Sequence, residues 1–244
     1  MATIPKGSAY SLLFGGINRN NMAERTYDKY VRSLVLAGLL LSSCSSSTFR
    51  IFHKPIVFDD EREKLSIEYL QTRHGIKKDR ATIQPRMVVL HWTAIPDIER
   101  TFHAFYSATL PEARKSISSA STLNVSSQFL IDRDGTIFQL LPDTVFARHV
   151  IGLNHCAIGV ENVGSSKSPL TRAQLRANED LVRYLKTKYN IDYLIGHYEY
   201  QKFIGHELWK ETDSSYLTVK TDPGTRFMRK IRTRLKDLHL KGAP

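Results

Sequence analysis

The stretch Met87-Val88-Val89-Leu90-His91-Trp92-Thr93-Ala94 decides how this chain folds. It follows Pro85 and sets β-favouring apolar residues ahead of a histidine, so it reads as a short buried strand whose last inward position is His91. An imidazole there stands at the edge of a sheet, where functional groups collect. Alone, His91 reads first as a core histidine satisfied by a backbone carbonyl, so a functional meaning depends on what the rest of the chain brings to it.

Downstream of this strand, Asp97 to Tyr106 predicts a helix, with Asp97 as cap and Ile98, Phe102, Phe105 and Tyr106 at helical spacing. His103 beside that stripe is read as structural. Ser116 to Ser127 is serine-rich and aperiodic, which predicts a loop. Ser127 to Ile131 and Thr136 to Leu141, joined through Asp134-Gly135, predict a β-hairpin, because Asp-Gly readily adopts the positive φ angles of a tight turn. Cys156 to Val163 predicts another strand. There Ile158 and Val160 face one way and Ala157, Gly159 and Glu161 the other, so small residues leave room beside Glu161.

A helix is expected within Pro169 to Ile191, with Thr171 and Gln174 as a capping box and Leu175, Leu181, Val182 and Leu185 on its buried face. Tyr193 to Gly196 then predicts a second strand ending in a histidine, His197. A last helix is expected from Pro223, with Phe227, Met228, Ile231 and Leu235 buried. Upstream, Lys54 to Gly75 carries Leu65, Ile67 and Leu70 in a charged, amphipathic pattern that packs at the domain edge. Interspersed strands and helices predict an α/β fold, a mixed central β-sheet flanked by helices.

The 244 residues are 41% hydrophobic, enough for one substantial core, and no internal repeat divides them. The net charge of +11 comes from scattered lysines and arginines; without a basic run interleaved with aromatics, a nucleic-acid partner is not expected. Residues 1–44 read as a leader. Lys29 and Arg32 precede the apolar run Leu34 to Leu41, too short to span a bilayer but suited to a secretory signal, and Met22 is a second candidate start. Residues 45–82 are expected to form a serine tether and the N-terminal helical segment, and residues 83–240 the principal domain. With Cys44 engaged in the leader, Cys156 is left without a disulfide partner and reads as a small buried residue.

Two strands ending in His91 and His197 acquire a third member in Lys220-Thr221-Asp222-Pro223-Gly224. Pro223 is expected to hold Asp222 extended, so that Lys220 and Asp222 share one side while Thr221 points away. Asp222 alone would read as a helix N-cap. Two imidazoles and a carboxylate together, however, make a three-ligand set for zinc.

These residues carry a resemblance. The successive segments V-V-L-H-W-T-A, S-S-Q-F-L-I-D-R-D-G-T-I-F-Q-L, A-R-H-V-I-G-L-N-H-C-A-I-G-V-E-N, I-G-H-Y-E and K-T-D-P-G resemble, in order from about Ile83 to Leu238, the zinc-dependent N-acetylmuramoyl-L-alanine amidases of the type 2 family. That family is similar in fold to peptidoglycan recognition proteins and a phage lysozyme. The resemblance implies zinc bound by His91, His197 and Asp222, Glu161 activating water, and Lys220 stabilising the oxyanion. It places His149, Trp92 and Thr93 along the substrate groove. The implied substrate is peptidoglycan or its muropeptides, cut at the amide between N-acetylmuramic acid and L-alanine; the alternative is a peptidoglycan-binding module without catalysis. Leu41-Ser42-Ser43-Cys44 resembles a lipoprotein box, which implies a lipidated Cys44 and a protein anchored in the cell envelope, facing the periplasm, at the outer membrane; separately, a monomer is expected.

The chain departs from the family pattern at three places. The insertion between His197 and Asp222 is long and contains His206, a competing ligand. Arg148 stands where a Trp is usual, and Val150 where a small residue is usual.

Overall fold

The structure is a computed structural model, and it describes residues 49–111 and 120–244. In chain order it contains β1 (Ile51–His53), α1 (Asp60–His74), β2 (Met87–Trp92), α2 (Ile98–Tyr106), β3 (Phe129–Ile131), β4 (Ile137–Gln139), β5 (Ala157–Asn162), α3 (Arg172–Lys188), β6 (Tyr193–Gly196) and α4 (Thr225–Arg234). A 3-10 segment, His197–Phe203, follows β6 directly. The expected leader, including Cys44, lies outside the described residues, as do residues 116–119 of the expected Ser116–Ser127 loop. No helix among the described residues is long and apolar enough to cross a membrane.

The strands form one sheet in the order β1-β4-β3-β5-β2-β6. Among the described strands only β3 and β4, the expected hairpin, pair antiparallel; β1 with β4, β3 with β5, β5 with β2 and β2 with β6 are parallel. The sheet is therefore mixed, as the sequence predicts. β2 lies inside it, paired on both sides, which explains why Met87 to Leu90 is an unbroken apolar run rather than an alternating one.

Alternation along β2 and β5 decides which side of the sheet each residue serves. Val88, Leu90, Ile158 and Val160 pack with Leu181, Val182 and Leu185 of α3 and with Met228 and Ile231 of α4. On the opposite face Met87, Val89, Ala157 and Ile195 meet Tyr200, Phe203 and Leu208. Leu181 and Val182 are fully enclosed. Each such side chain contributes on the order of 2 kcal/mol by leaving water.

Local signals start α2 and α3 where expected. The Thr171 hydroxyl accepts from Gln174 N at 3.0 Å and the Gln174 side chain accepts from Thr171 N at 2.9 Å, the predicted capping box of α3. Asp97 caps α2 by accepting from Arg100 N at 2.8 Å. α1 starts on Asp59 and stops at Gly75, whose φ of 65° suits a residue without Cβ.

Three expectations need correction. α4 begins at Thr225 with Gly224 as its cap, because the chain first makes a turn in which Gly224 N donates to the Thr221 carbonyl at 3.0 Å. Asp222 is thus not an N-cap. Lys54 to Gly75 does more than pack at the domain edge: Tyr69 and Leu70 of α1 lie in the main core, and β1 just before it adds an edge strand to the sheet. The buried Arg62 of α1 also donates to the Phe105 and Tyr106 carbonyls at 2.8 and 3.1 Å, satisfying the end of α2. Finally, the room left by the small residues of β5 is filled, since the ring of His149 lies over Gly159.

Candidate metal centre

Because β5, β2 and β6 are neighbouring parallel strands, their carboxyl ends emerge on one edge of the sheet, the usual place for a site in such a fold. His91 near the end of β2 stands in register with Glu161 near the end of β5, and His197 follows the last residue of β6. The returning chain supplies the fourth group. Tyr198 N donates to the Asp222 carbonyl at 3.0 Å, which holds Asp222 beside His197. Thr221 is exposed while Lys220 and Asp222 line the groove, as the alternation predicts.

Nδ1 of His91 lies 3.0 Å from Nδ1 of His197, and Oδ2 of Asp222 lies 3.1 Å from the second and 3.3 Å from the first. All three residues are buried. Bonds of 2.0–2.1 Å to a tetrahedral zinc would set its ligand atoms roughly 3.3 Å apart, so the donors are already spaced for such an ion. Burial and the neighbouring His91 push the His197 imidazole down to about 4, against the pull of Asp222. Burial opposes ionisation of Asp222, yet the His197 and His91 imidazoles beside it outweigh burial and hold the carboxyl well below the usual range. A neutral imidazole beside an ionised carboxylate is the protonation state a metal requires.

Every candidate residue among the described ones lines the same groove: Glu161, Lys220, Trp92, Thr93 and His149 surround the three central donors. Trp92 lies near Gly224, at the start of α4. The Thr93 hydroxyl donates to the Ile95 carbonyl at 2.8 Å and so also holds the turn after β2. His149 is engaged at both ring nitrogens, Nδ1 at 3.0 Å from Nε2 of His91 and Nε2 at 3.2 Å from the Ala157 carbonyl. Burial and the adjacent His91 keep it well below the ordinary imidazole range. His206 stays away from the cluster, with Nε2 at 3.3 Å from the Tyr193 hydroxyl and Nδ1 accepting from Leu208 N at 3.2 Å.

Two residues frame the groove: Arg148, which the sequence showed only as a departure from the family pattern, and Asn154, which it did not reveal. Arg148 is buried and donates to the Ser121 carbonyl at 3.0 Å and to the Tyr216 hydroxyl at 3.2 Å, so it ties the loop before β3 to the long insertion. Asn154 accepts from the backbone N–H groups of His149 and Val150 at 2.9 and 2.8 Å, fixing the segment that carries His149. The signals were single polar residues in a loop, which have no period to reveal them.

Fold and cluster together define an α/β domain with a buried two-histidine, one-carboxylate centre at the ends of parallel strands. The chain belongs to the N-acetylmuramoyl-L-alanine amidase family Amidase_2, whose model matches residues 81–225. Similar solved structures include the N-acetylmuramoyl-L-alanine amidase LysC from Clostridium intestinale URNW, at 18% identity and TM-score 0.48 over 79% of this chain and 99% of that one. An AmpD derivative shares 23% identity at TM-score 0.45, over 63% of this chain and 89% of that one. Peptidoglycan recognition protein-LE in complex with tracheal cytotoxin shares 18% identity at TM-score 0.45, over 66% of this chain and 85% of that one. No curated protein matches the chain.

Proposed function

We propose that the protein is a zinc-dependent N-acetylmuramoyl-L-alanine amidase, acting on peptidoglycan or muropeptides. The observation that carries this reading is the convergence of His91, His197 and Asp222 at 3.0 to 3.3 Å, with Glu161 and Lys220 in the same groove. The three central residues would hold the ion, which when bound supplies a Lewis acid for the substrate carbonyl. Glu161 takes a proton as water oxygen bonds to the lactyl carbonyl carbon, and the Lys220 ammonium opposes the negative charge that grows on the carbonyl oxygen. The carbon–nitrogen bond then breaks and the proton held by Glu161 passes to the leaving amine. A muramic acid carboxylate and a peptide with a free L-alanine amino group are the products. Trp92 and Thr93 line the groove where the sugar and peptide lie.

Metal content tests the ligand set. His197→Ala should bind no zinc at neutral pH, whereas His206→Ala should keep one ion per chain; the reverse would move the site into the insertion. The leader adds a location to the proposal: a lipidated Cys44 anchoring the domain at the periplasmic side of the outer membrane. Cys44→Ala should abolish metabolic labelling by palmitate, and unchanged labelling would exclude the anchor.

A further inference from the structure

His91 is useful to a metal only if its proton sits on Nε2, because the nitrogen that faces His197 and Asp222 is Nδ1. A neutral imidazole in solution holds its proton on either nitrogen, and what the far nitrogen meets decides between them. The structure assigns that decision to His149, a positioning residue that holds the proton on Nε2 of His91 through a chain of hydrogen bonds ending on β5.

The chain begins at a group with only one role. The Ala157 carbonyl of β5 can accept but not donate, so the His149 Nε2 at 3.2 Å carries the proton and donates it. A neutral His149 protonated on Nε2 has a bare Nδ1. That atom is 3.0 Å from Nε2 of His91 and can only accept, so His91 must donate from Nε2. Nδ1 of His91 is then bare and turned toward the other two donors. A metal-binding histidine commonly gives its second N–H to a carbonyl or carboxylate; here a second imidazole stands between the ligand and the carbonyl.

Two independent features hold the intermediate ring in place. The backbone N–H groups of His149 and Val150 both donate to Oδ1 of Asn154, which fixes the loop. Gly159 lets the ring lie flat against β5: a Cβ at that position would come within 2.8 Å of Cγ and Cδ2 of His149. Any side chain there would have to displace the ring. Gly159 is therefore required by a close approach and not by its own φ.

The inference rests on the reading of the cluster as a zinc site, but its first test does not. In the metal-free full chain, the ring ¹⁵N shifts of His91 should report a single tautomer protonated on Nε2. His149→Phe removes the acceptor and should shift the proton toward Nδ1, which faces the Asp222 carboxylate at 3.3 Å, while His149→Gln, whose amide can both accept from His91 and donate to Ala157, should keep the Nε2 tautomer. Zinc affinity should follow, falling about 10- to 100-fold in His149→Phe, the usual range for losing a partner of a metal ligand, and staying within a few-fold of wild type in His149→Gln. Gly159→Ala should behave as His149→Phe does, which covers the case of a poorly folded His149 variant. An unchanged His91 tautomer and unchanged zinc affinity in both His149→Phe and Gly159→Ala would overturn the assignment while leaving the amidase reading intact. If wild type binds no zinc, the zinc reading fails and the tautomer measurement still decides the role of His149.

Discussion

Glu161 and Lys220 reach the groove from different parts of the chain, one from the end of β5 and one from the turn before α4. Neither belongs to the converging donor set, so their removal should separate chemistry from metal binding. Glu161→Gln is expected to bind zinc as wild type does while kcat falls about a hundredfold or more, the scale of a lost general base. Lys220→Ala should lower kcat on a similar scale by withdrawing charge from the developing oxyanion. Zinc titration and steady-state kinetics on the same preparations check both; loss of zinc in Glu161→Gln would make Glu161 a ligand. His91, His197 and Asp222 were legible because each ends a short apolar run or precedes a proline turn. His149 could be placed in the groove by resemblance, but its link to His91 was not legible, since that link depends on a carbonyl at 157 and a glycine at 159 that only the folded sheet sets against it.

Among the elements, the hairpin, the α3 capping box and the two histidine-ended strands were readable because each has a local signal: Asp-Gly, Thr171 with Gln174, and apolar runs before His91 and His197. β1 was not. It has three residues and pairs with β4 far along the chain, Ile51 opposite Ile137, so no periodicity within it could announce a strand. The end of α1 carries a feature that pH should expose. Buried His74 lies against Tyr69 and Phe146, with the ring of His155 5.4 Å away. Burial and then His155 push His74 down to about 3; burial followed by Lys210 and Lys78 push His155 down to about 4. Both imidazoles take up a proton in the unfolded chain near pH 6.5 but not in the folded one. Their contribution is therefore complete above about 6.5 and declines as the medium becomes more acidic, down toward the folded values. For His74 alone the loss by pH 5 is about 2 kcal/mol relative to neutral pH. Denaturant unfolding at pH 7 and pH 5 should show a smaller difference in His74→Phe than in wild type; an equal difference would mean that the His74 site is open to protons in the folded state.

At the scale of the molecule, the decisive fact is topological. Parallel pairing of β5, β2 and β6 places Glu161, His91 and His197 on one edge of the sheet, and the chain returning to α4 closes the cluster with Asp222. Composition could not have shown this: the excess of basic residues was compatible with several partners, and the site became legible only when motifs were taken in order along the chain. The insertion between His197 and Asp222 is where sequence said least. The structure gives it a place, with Arg73 of α1 paired to Glu211 at 2.8 Å and Tyr216 bonded to Arg148 beside the groove. The central claim is that this groove cuts the amide next to muramic acid and does not merely hold the glycan. Purified sacculi incubated with the zinc-loaded protein, followed by mass analysis of the soluble fraction, test it most directly. Release of stem peptides with a free L-alanine amino terminus, abolished in His197→Ala, is the predicted result; sedimentation of the protein with sacculi and no released peptide would contradict it and make the domain a binding module.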